Sequence, residues 1–98
     1  MKIKGFNDGY YLVGFNSKVN DNGEERTTLH FLYNVGKDFN GYGTMHISVK
    51  TAKLKELLNG LPVVGCVYKV FTDKFLTPEK QLITYLKDII LLENLDGN

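Results

Sequence analysis

The chain has 98 residues, of which 43% are hydrophobic and 23% charged, and its formal net charge is +1. That length allows one domain with a single core and excludes two. The composition is that of a globular protein and excludes a wholly disordered chain. The near-neutral balance also excludes a protein that holds duplex DNA by charge alone, so any nucleic-acid site must be a local cationic patch.

Targeting signals and disulfides are not expected. Residues 1–5 lack the apolar stretch of a signal peptide, and no segment reaches the roughly 20 apolar residues needed to cross a bilayer. The single cysteine, Cys66, lies in an apolar run, which predicts a buried thiol. The sequence therefore predicts one cytoplasmic domain over residues 1–98, with short flexible ends and no membrane contact.

Three segments of the first half alternate between apolar and polar residues, which predicts strands. They are Tyr10–Val19, Thr27–Val35 and Gly43–Lys50. Gly14 interrupts the first of them and indicates a bulge or a bend. The Asn-Gly pair within residues 20–25 favours a hairpin, so the first two strands should be antiparallel neighbours.

The alternation also predicts which side chains face the core. The side chains expected to point inward are Tyr11, Val13, Phe15, Leu29, Phe31, Tyr33, Val35, Met45, Ile47 and Val49. The opposite faces of the second and third strands carry Thr28, His30, Leu32, Asn34, Thr44, His46, Ser48 and Lys50. Each of these strands should therefore leave one mainly polar face outside the core.

After the third strand, the spacing of apolar residues changes from that of a strand to that of a helix. Thr51 is predicted to cap a short helix that carries leucines 54, 57, 58 and 61, and Gly60 is predicted to end it in the left-handed conformation. Val63–Phe71 then predicts a fourth strand. Residues 77–79 fit either a helix start or a turn, but the β-branched and aromatic residues that follow favour a fifth strand over Gln81–Leu92.

The predicted order is therefore β-β-β-α-β-β in a mostly β protein. A five-stranded OB-fold barrel has this order, with a short helix between strands three and four. In that fold, the face of strands two and three and the loops joining strands one to two and four to five bind oligonucleotides or oligosaccharides. Closure into a barrel would also allow so short a chain to bury a core without disulfides.

The chain resembles the small single-stranded DNA-binding, or helix-destabilising, proteins of bacteriophages and mobile elements. The resemblance lies in the hairpin-rich first half, in residues 61–70 (LPVVGCVYKV) and in residues 85–92 (YLKDIILL). It implies an OB-fold, a role in DNA replication or recombination, and a homodimer or larger assembly without a cofactor. For a phage-encoded protein, it implies the host cytoplasm.

Single strands are held by cationic grooves and by rings on which bases stack. The candidate DNA-binding residues are Arg26, His30, Lys37, Phe39, Tyr42, His46, Lys50, Lys69, Lys74 and Phe75. Phe39 and Tyr42 could instead cover one end of the barrel, and Phe75 could contact a second subunit. His30 and His46 are expected to belong to a binding face and not to a metal site, because no cysteine or acidic cluster supplies further ligands.

Catalytic motifs are not present in the sequence. It has no glycine-rich phosphate loop, metal-ligand run or nucleophile elbow. We therefore expect no enzymatic activity and no cofactor. The leading hypothesis is sequence-tolerant binding of single-stranded DNA. The alternatives are a protein-interaction module on the same barrel, such as an accessory subunit or an inhibitor of a host protein, and an oligosaccharide-binding barrel.

Overall fold

The computed structural model describes residues 9–94, with the backbone alone at residues 93 and 94. The predicted flexible ends lie outside the described residues. The elements are β1 (Tyr10–Val19), β2 (Glu25–Tyr33), β3 (Gly43–Lys50), α1 (Thr51–Leu58), β4 (Cys66–Leu76) and β5 (Leu82–Asn94). This confirms the predicted mostly β class and the order β-β-β-α-β-β, including a strand and not a helix after residue 81.

All five strands belong to one sheet, in the order β3-β2-β1-β4-β5. Every neighbouring pair is antiparallel, so the two edge strands, β3 and β5, run parallel to each other. The two edges approach each other, but no β-ladder joins them within residues 9–94. The predicted order is therefore present without the predicted closed barrel. Closure would need a parallel pairing, which is slightly less stable per residue than an antiparallel one.

A bulge in β1 reverses which side chains face the core. Leu12 pairs with Phe31 and Gly14 pairs with His30, so Val13 is the extra residue. Leu12 is fully buried, whereas Val13 is 43% exposed. The bulge at Gly14 was predicted, but the inward orientation of Tyr11 and Val13 was wrong, because strict alternation does not continue through a bulge.

The core lies between the curved sheet and α1. Its buried apolar members are Leu12, Leu29, Phe31, Ile47, Val49, Leu54, Cys66, Tyr68, Leu86 and Ile89. The predicted burial of the Cys66 thiol is confirmed. Burial also raises the pKa of the Tyr68 hydroxyl above its ordinary value, and this hydroxyl accepts a 2.9 Å hydrogen bond from the Val63 amide.

The ends of α1 differ from the prediction. Lys50 occupies the N-cap position without a side-chain cap. The Thr51 hydroxyl is turned into the core, where it lies 2.7 Å from that of Thr27, which in turn lies 2.8 Å from the Ser17 hydroxyl. At the other end, the left-handed residue is Asn59, with φ of 58°, and not the predicted Gly60.

The bounds of β2 and β4 also shift. β2 ends at Tyr33, so Val35 is 50% exposed and the prediction that it faces the core was wrong. β4 begins at Cys66, after a turn in which the Gly65 amide donates a 2.9 Å hydrogen bond to the Leu12 carbonyl. β4 then continues five residues beyond the predicted end and forms a long hairpin with β5.

Candidate functional site

The outward side chains of β1, β2 and β3 line up in rows across the strands. Lys18, Arg26 and Lys50 form one row, because Arg26 pairs with Lys18 on one side and with Lys50 on the other. Directly opposed residues in a sheet have Cβ atoms about 4.5–5.5 Å apart. Three cationic side chains are therefore close neighbours on one surface.

Two further rows complete this surface. Thr28 lies between Asn16 and Ser48, and His30 lies between Gly14 and His46. We call this surface the polar face and define it by Asn16, Lys18, Arg26, Thr28, His30, His46, Ser48 and Lys50. It covers the outside of the sheet directly above the buried side chains of β2 and β3.

Glu24 bridges two cations of the polar face. Its carboxylate lies 3.3 Å from Nη1 of Arg26 and 3.3 Å from Nζ of Lys50. Arg26 is held further by Ser48, because its Nε donates to the hydroxyl at 3.0 Å and its Nη2 to the carbonyl at 3.2 Å. Desolvation alone would raise the pKa of Glu24, but the hydrogen bonds and charges of Lys50 and Arg26 lower it overall.

A cleft of about 460 Å³ opens between the two edge strands. We call it the seam cleft. The residues that matter for its chemistry are Arg26, Lys50, Lys53, Phe75, Ile83 and Tyr85. The cleft adjoins a second hollow, which shares Arg26 and Ile83 and extends past His46. No acidic side chain is among the described residues that line either hollow.

Cations and rings meet in the seam cleft. The ring centroids of Phe75 and Tyr85 are 5.8 Å apart on the β4–β5 side. Nζ of Lys53 lies 5.7 Å from the Tyr85 centroid and donates a 2.9 Å hydrogen bond to the Leu86 carbonyl. The cleft can therefore offer ammonium groups to an anion and aromatic faces to a planar group.

The structure brings together five of the predicted site residues. Arg26, Lys50 and Phe75 line the seam cleft, and His30 and His46 lie on the polar face. His30, His46 and Lys50 were predicted from outward strand positions, Arg26 from its place at the entry of the second strand, and Phe75 from a predicted loop.

Three residues of this region were missed. Lys18 follows the bulge of β1, which made its orientation difficult to predict. Lys53 lies on α1, and Tyr85 is directed into the seam cleft by the pairing of β5 with β4. Strand alternation could have indicated a face for Tyr85, and closure of the predicted barrel would have brought strand five beside strand three. The sequence does not give the register that directs Tyr85 into the cleft.

Three of the predicted site residues lie elsewhere because of the length of β2 and β3. Lys37, Phe39 and Tyr42 belong to the loop that follows Tyr33, whereas the cationic row begins at Arg26. Seven residues at about 3.3 Å each separate these two ends by roughly 23 Å.

The remaining two predicted residues belong to β4 but do not line the seam cleft. Nζ of Lys69 lies 5.2 Å from the ring centroid of Phe71. Lys74 directly precedes Phe75 in the strand, so its side chain points to the opposite face.

Comparison of the chain with protein-family models, with curated proteins and with solved structures finds no match. Within residues 9–94, no helix is long and apolar enough to cross a membrane. The same part of the chain holds no group of three or more His, Cys, Asp or Glu residues placed to bind a metal ion. Functional inference therefore depends on the polar face and the seam cleft themselves.

Proposed function

We propose that the chain binds single-stranded DNA with little sequence preference and without catalysis. The observation that carries this proposal is the position of Arg26, which belongs both to the cationic row and to the seam cleft. A path over the polar face into the cleft thus passes from phosphate-binding groups to aromatic rings. Such a protein would act in the cytoplasm on strands exposed during replication or recombination of a phage or mobile element.

The proposal includes a partly open OB-fold barrel. Its support is the sheet order β3-β2-β1-β4-β5, which leaves β3 and β5 as facing edges, together with the helix between β3 and β4. An OB-fold binds oligonucleotides on strands two and three, between the loops that join strands one to two and four to five. In this chain, those loops are residues 20–24 and 77–81.

Each part of the surface has a distinct role in the proposal. Lys18, Arg26 and Lys50 bind successive phosphates, and a phosphate competes with the Glu24 carboxylate for Arg26 and Lys50. Phe75 and Tyr85 stack on bases, a contribution of about 1–3 kcal/mol per base. Only unpaired bases expose their faces for stacking, so single strands are preferred to duplexes.

A titration of fluorescein-labelled oligo-dT, read by fluorescence anisotropy, tests the proposal. We expect binding that weakens with salt, with a slope of log K against log salt of about −0.7 for each phosphate contacted. An unlabelled duplex of equal length should compete poorly. Failure to bind oligo-dT at low salt would overturn the proposal, and equal competition by the duplex would contradict the role of stacking.

Two matched pairs of variants locate the site. Lys50→Gln should weaken binding and flatten the salt slope, whereas Lys55→Gln, on exposed helix surface, should not. Phe75→Leu should weaken binding by roughly tenfold. Phe39→Leu is its control, because both rings are 49% exposed and Phe39 lies in the distant β2–β3 loop. Equal effects within either pair would contradict the proposed surface.

A second candidate function, protein interaction, is favoured by the exposed apolar tip of the β4–β5 hairpin. Leu76 is 64% and Leu82 61% exposed, and the two are directly paired. An exposed apolar patch can mark an interface, including that of a homodimer. Sedimentation equilibrium of the wild type and of Leu82→Gln tests this candidate. A wild-type monomer over the accessible concentration range would contradict self-association.

A further inference from the structure

Both imidazoles of the chain lie together on the polar face. The sequence contains two histidines, and His30 pairs directly with His46 across β2 and β3. Their ring centroids are 6.0 Å apart and their planes are inclined by 31°. The proposed phosphate contacts in the cationic row and the proposed stacking in the seam cleft leave this pair without a role.

The surroundings of the pair contain little negative charge. The charged side chains that share the adjoining hollows are Lys18, Asp21 and Arg26. From the β4–β5 side, the described neighbours are Thr72, Ile83 and Thr84, all uncharged. A positive charge gained by the pair would therefore add to the field of the cationic row.

The position that gains a proton in His30 follows from one hydrogen bond. Nε2 of His30 lies 3.3 Å from Oδ1 of Asn16. An amide oxygen only accepts hydrogen bonds, so Nε2 carries the proton and Nδ1 is the basic nitrogen of the neutral ring. Protonation makes Nδ1 a second hydrogen-bond donor. A phosphate oxygen can accept this hydrogen bond while the phosphate stays anionic.

We propose that His30 and His46 form a proton-dependent phosphate subsite on the polar face. Two imidazolium rings at this spacing can donate to different oxygens of one backbone phosphate, so DNA affinity rises as the pH falls. Histidine is the side chain that ordinarily changes charge between about pH 5 and 8, so that interval is the one the test must span. This inference depends on the proposed function, because the subsite extends the same DNA-binding surface.

The test measures binding of labelled oligo-dT by anisotropy at about pH 5.5 and about pH 8, over a series of salt concentrations. Thymine and the phosphodiester backbone do not titrate between these values, and a rhodamine label replaces fluorescein here because fluorescein itself titrates in this range. A change in affinity must then come from the protein. We expect affinity to rise on the order of threefold to tenfold at the lower pH. The salt slope should steepen by about 0.7, the value for one added phosphate contact.

Variants separate this inference from the proposed function. His30→Gln combined with His46→Gln should abolish the difference in affinity between about pH 8 and about pH 5.5, whatever affinity it retains at the higher pH. Lys18→Gln is the control, because it should weaken binding at both pH values and keep the gain. A gain retained by the double variant, or binding by the wild type that is independent of pH, would overturn the subsite alone. Absence of binding at both pH values would overturn the proposed function as well.

Discussion

The sheet of β1, β2 and β3 and the outer half of the β4–β5 hairpin use their side chains differently. In β2, Leu29 and Phe31 are at most 1% exposed, beneath the polar face. In the outer half of the hairpin, Phe75 is 49% and Leu82 61% exposed. Both regions consist of antiparallel strands, so the difference in exposure comes from what lies behind them. The first region packs on the core, whereas the second extends past it and leaves its apolar side chains exposed to solvent.

The largest effect expected from this comparison concerns two phenylalanines. Phe31→Ala should lower the free energy of unfolding by about 3–5 kcal/mol, because it leaves a cavity in the core. Phe75→Ala should change it by no more than about 0.5 kcal/mol, the usual range for a surface position. Urea unfolding followed by circular dichroism measures both. Comparable losses would show that the hairpin is as much a part of the core as β2.

A second effect concerns the hydroxyl chain that links β1, β2 and α1. Thr27→Val keeps the shape of a fully buried side chain but removes the partner of Ser17 and Thr51. Loss of a buried partner should lower the free energy of unfolding by about 1–3 kcal/mol. Thr28→Val, on the outer side of the same strand, is the matched control and should be nearly neutral. Equal losses would contradict a specific role for the buried hydroxyls.

The sequence could predict the strands in which one face packs on the core and the other faces outward, because apolar and polar residues alternate there. β1 and β3 have the predicted bounds, and the alternation in β2 and β3 correctly separated the core from the polar face. Val13 was assigned to the wrong face because a bulge shifts the alternation of side chains by one residue. The spacing of apolar residues alone does not show where that shift occurs. The open edge between β3 and β5 could not be predicted, because it depends on pairing between segments distant in the chain.

The candidate site was predictable to a similar extent. Lys50 could be assigned to the outer face from the alternation of its strand, and Arg26 was chosen because it lies at the entry of the predicted second strand, beside the first hairpin. Lys53 and Tyr85 line the seam cleft because α1 and β5 approach β3. Phe39 was chosen from its position in the predicted loop between strands two and three, but the length of β2 places that loop at the other end of the sheet from Arg26.

The two regions are nevertheless closed by turns of the same construction. The turns are residues 20–23 and 77–80. In each turn, the amide of the fourth residue donates a hydrogen bond to the carbonyl of the first, from Gly23 to Asn20 at 3.0 Å and from Lys80 to Thr77 at 2.9 Å. The side-chain oxygen of the first residue also accepts from the amide that follows the turn, at 3.0 Å in both cases. The fourth residue has a positive φ, 80° at Gly23 and 64° at Lys80.

This shared construction predicts opposite effects at the two fourth positions. A left-handed conformation costs a residue with a Cβ roughly 1–2 kcal/mol, so Gly23→Ala should destabilise the chain although nothing lies within 4 Å of the added methyl. Lys80→Gly should stabilise it by about 0.5–1 kcal/mol, less than the full strain because glycine gains freedom in the unfolded chain. Urea midpoints measure both, with Lys80→Gln as the control for charge. Stabilisation by Lys80→Gln would indicate that charge and not backbone strain is responsible.

The smallest expected effect is the pH dependence of the Glu24 contacts. Because the folded chain lowers the pKa of Glu24, its contribution to stability is present above the unfolded pKa and is lost as the pH falls through the folded pKa. The wild type should exceed Glu24→Gln slightly in thermal midpoint at neutral pH, and the difference should disappear in acid. Glu25→Gln makes the same charge change next to it and serves as the control.

The same variant links stability to binding. Glu24→Gln frees Arg26 and Lys50 from a competing carboxylate, so oligo-dT affinity at neutral pH should increase while stability falls slightly. If both quantities fell, Glu24 would be acting mainly to position Arg26 and Lys50, and not as a competitor of the DNA phosphate. If the difference in thermal midpoint persisted in acid, the contacts of Glu24 would not depend on its charge.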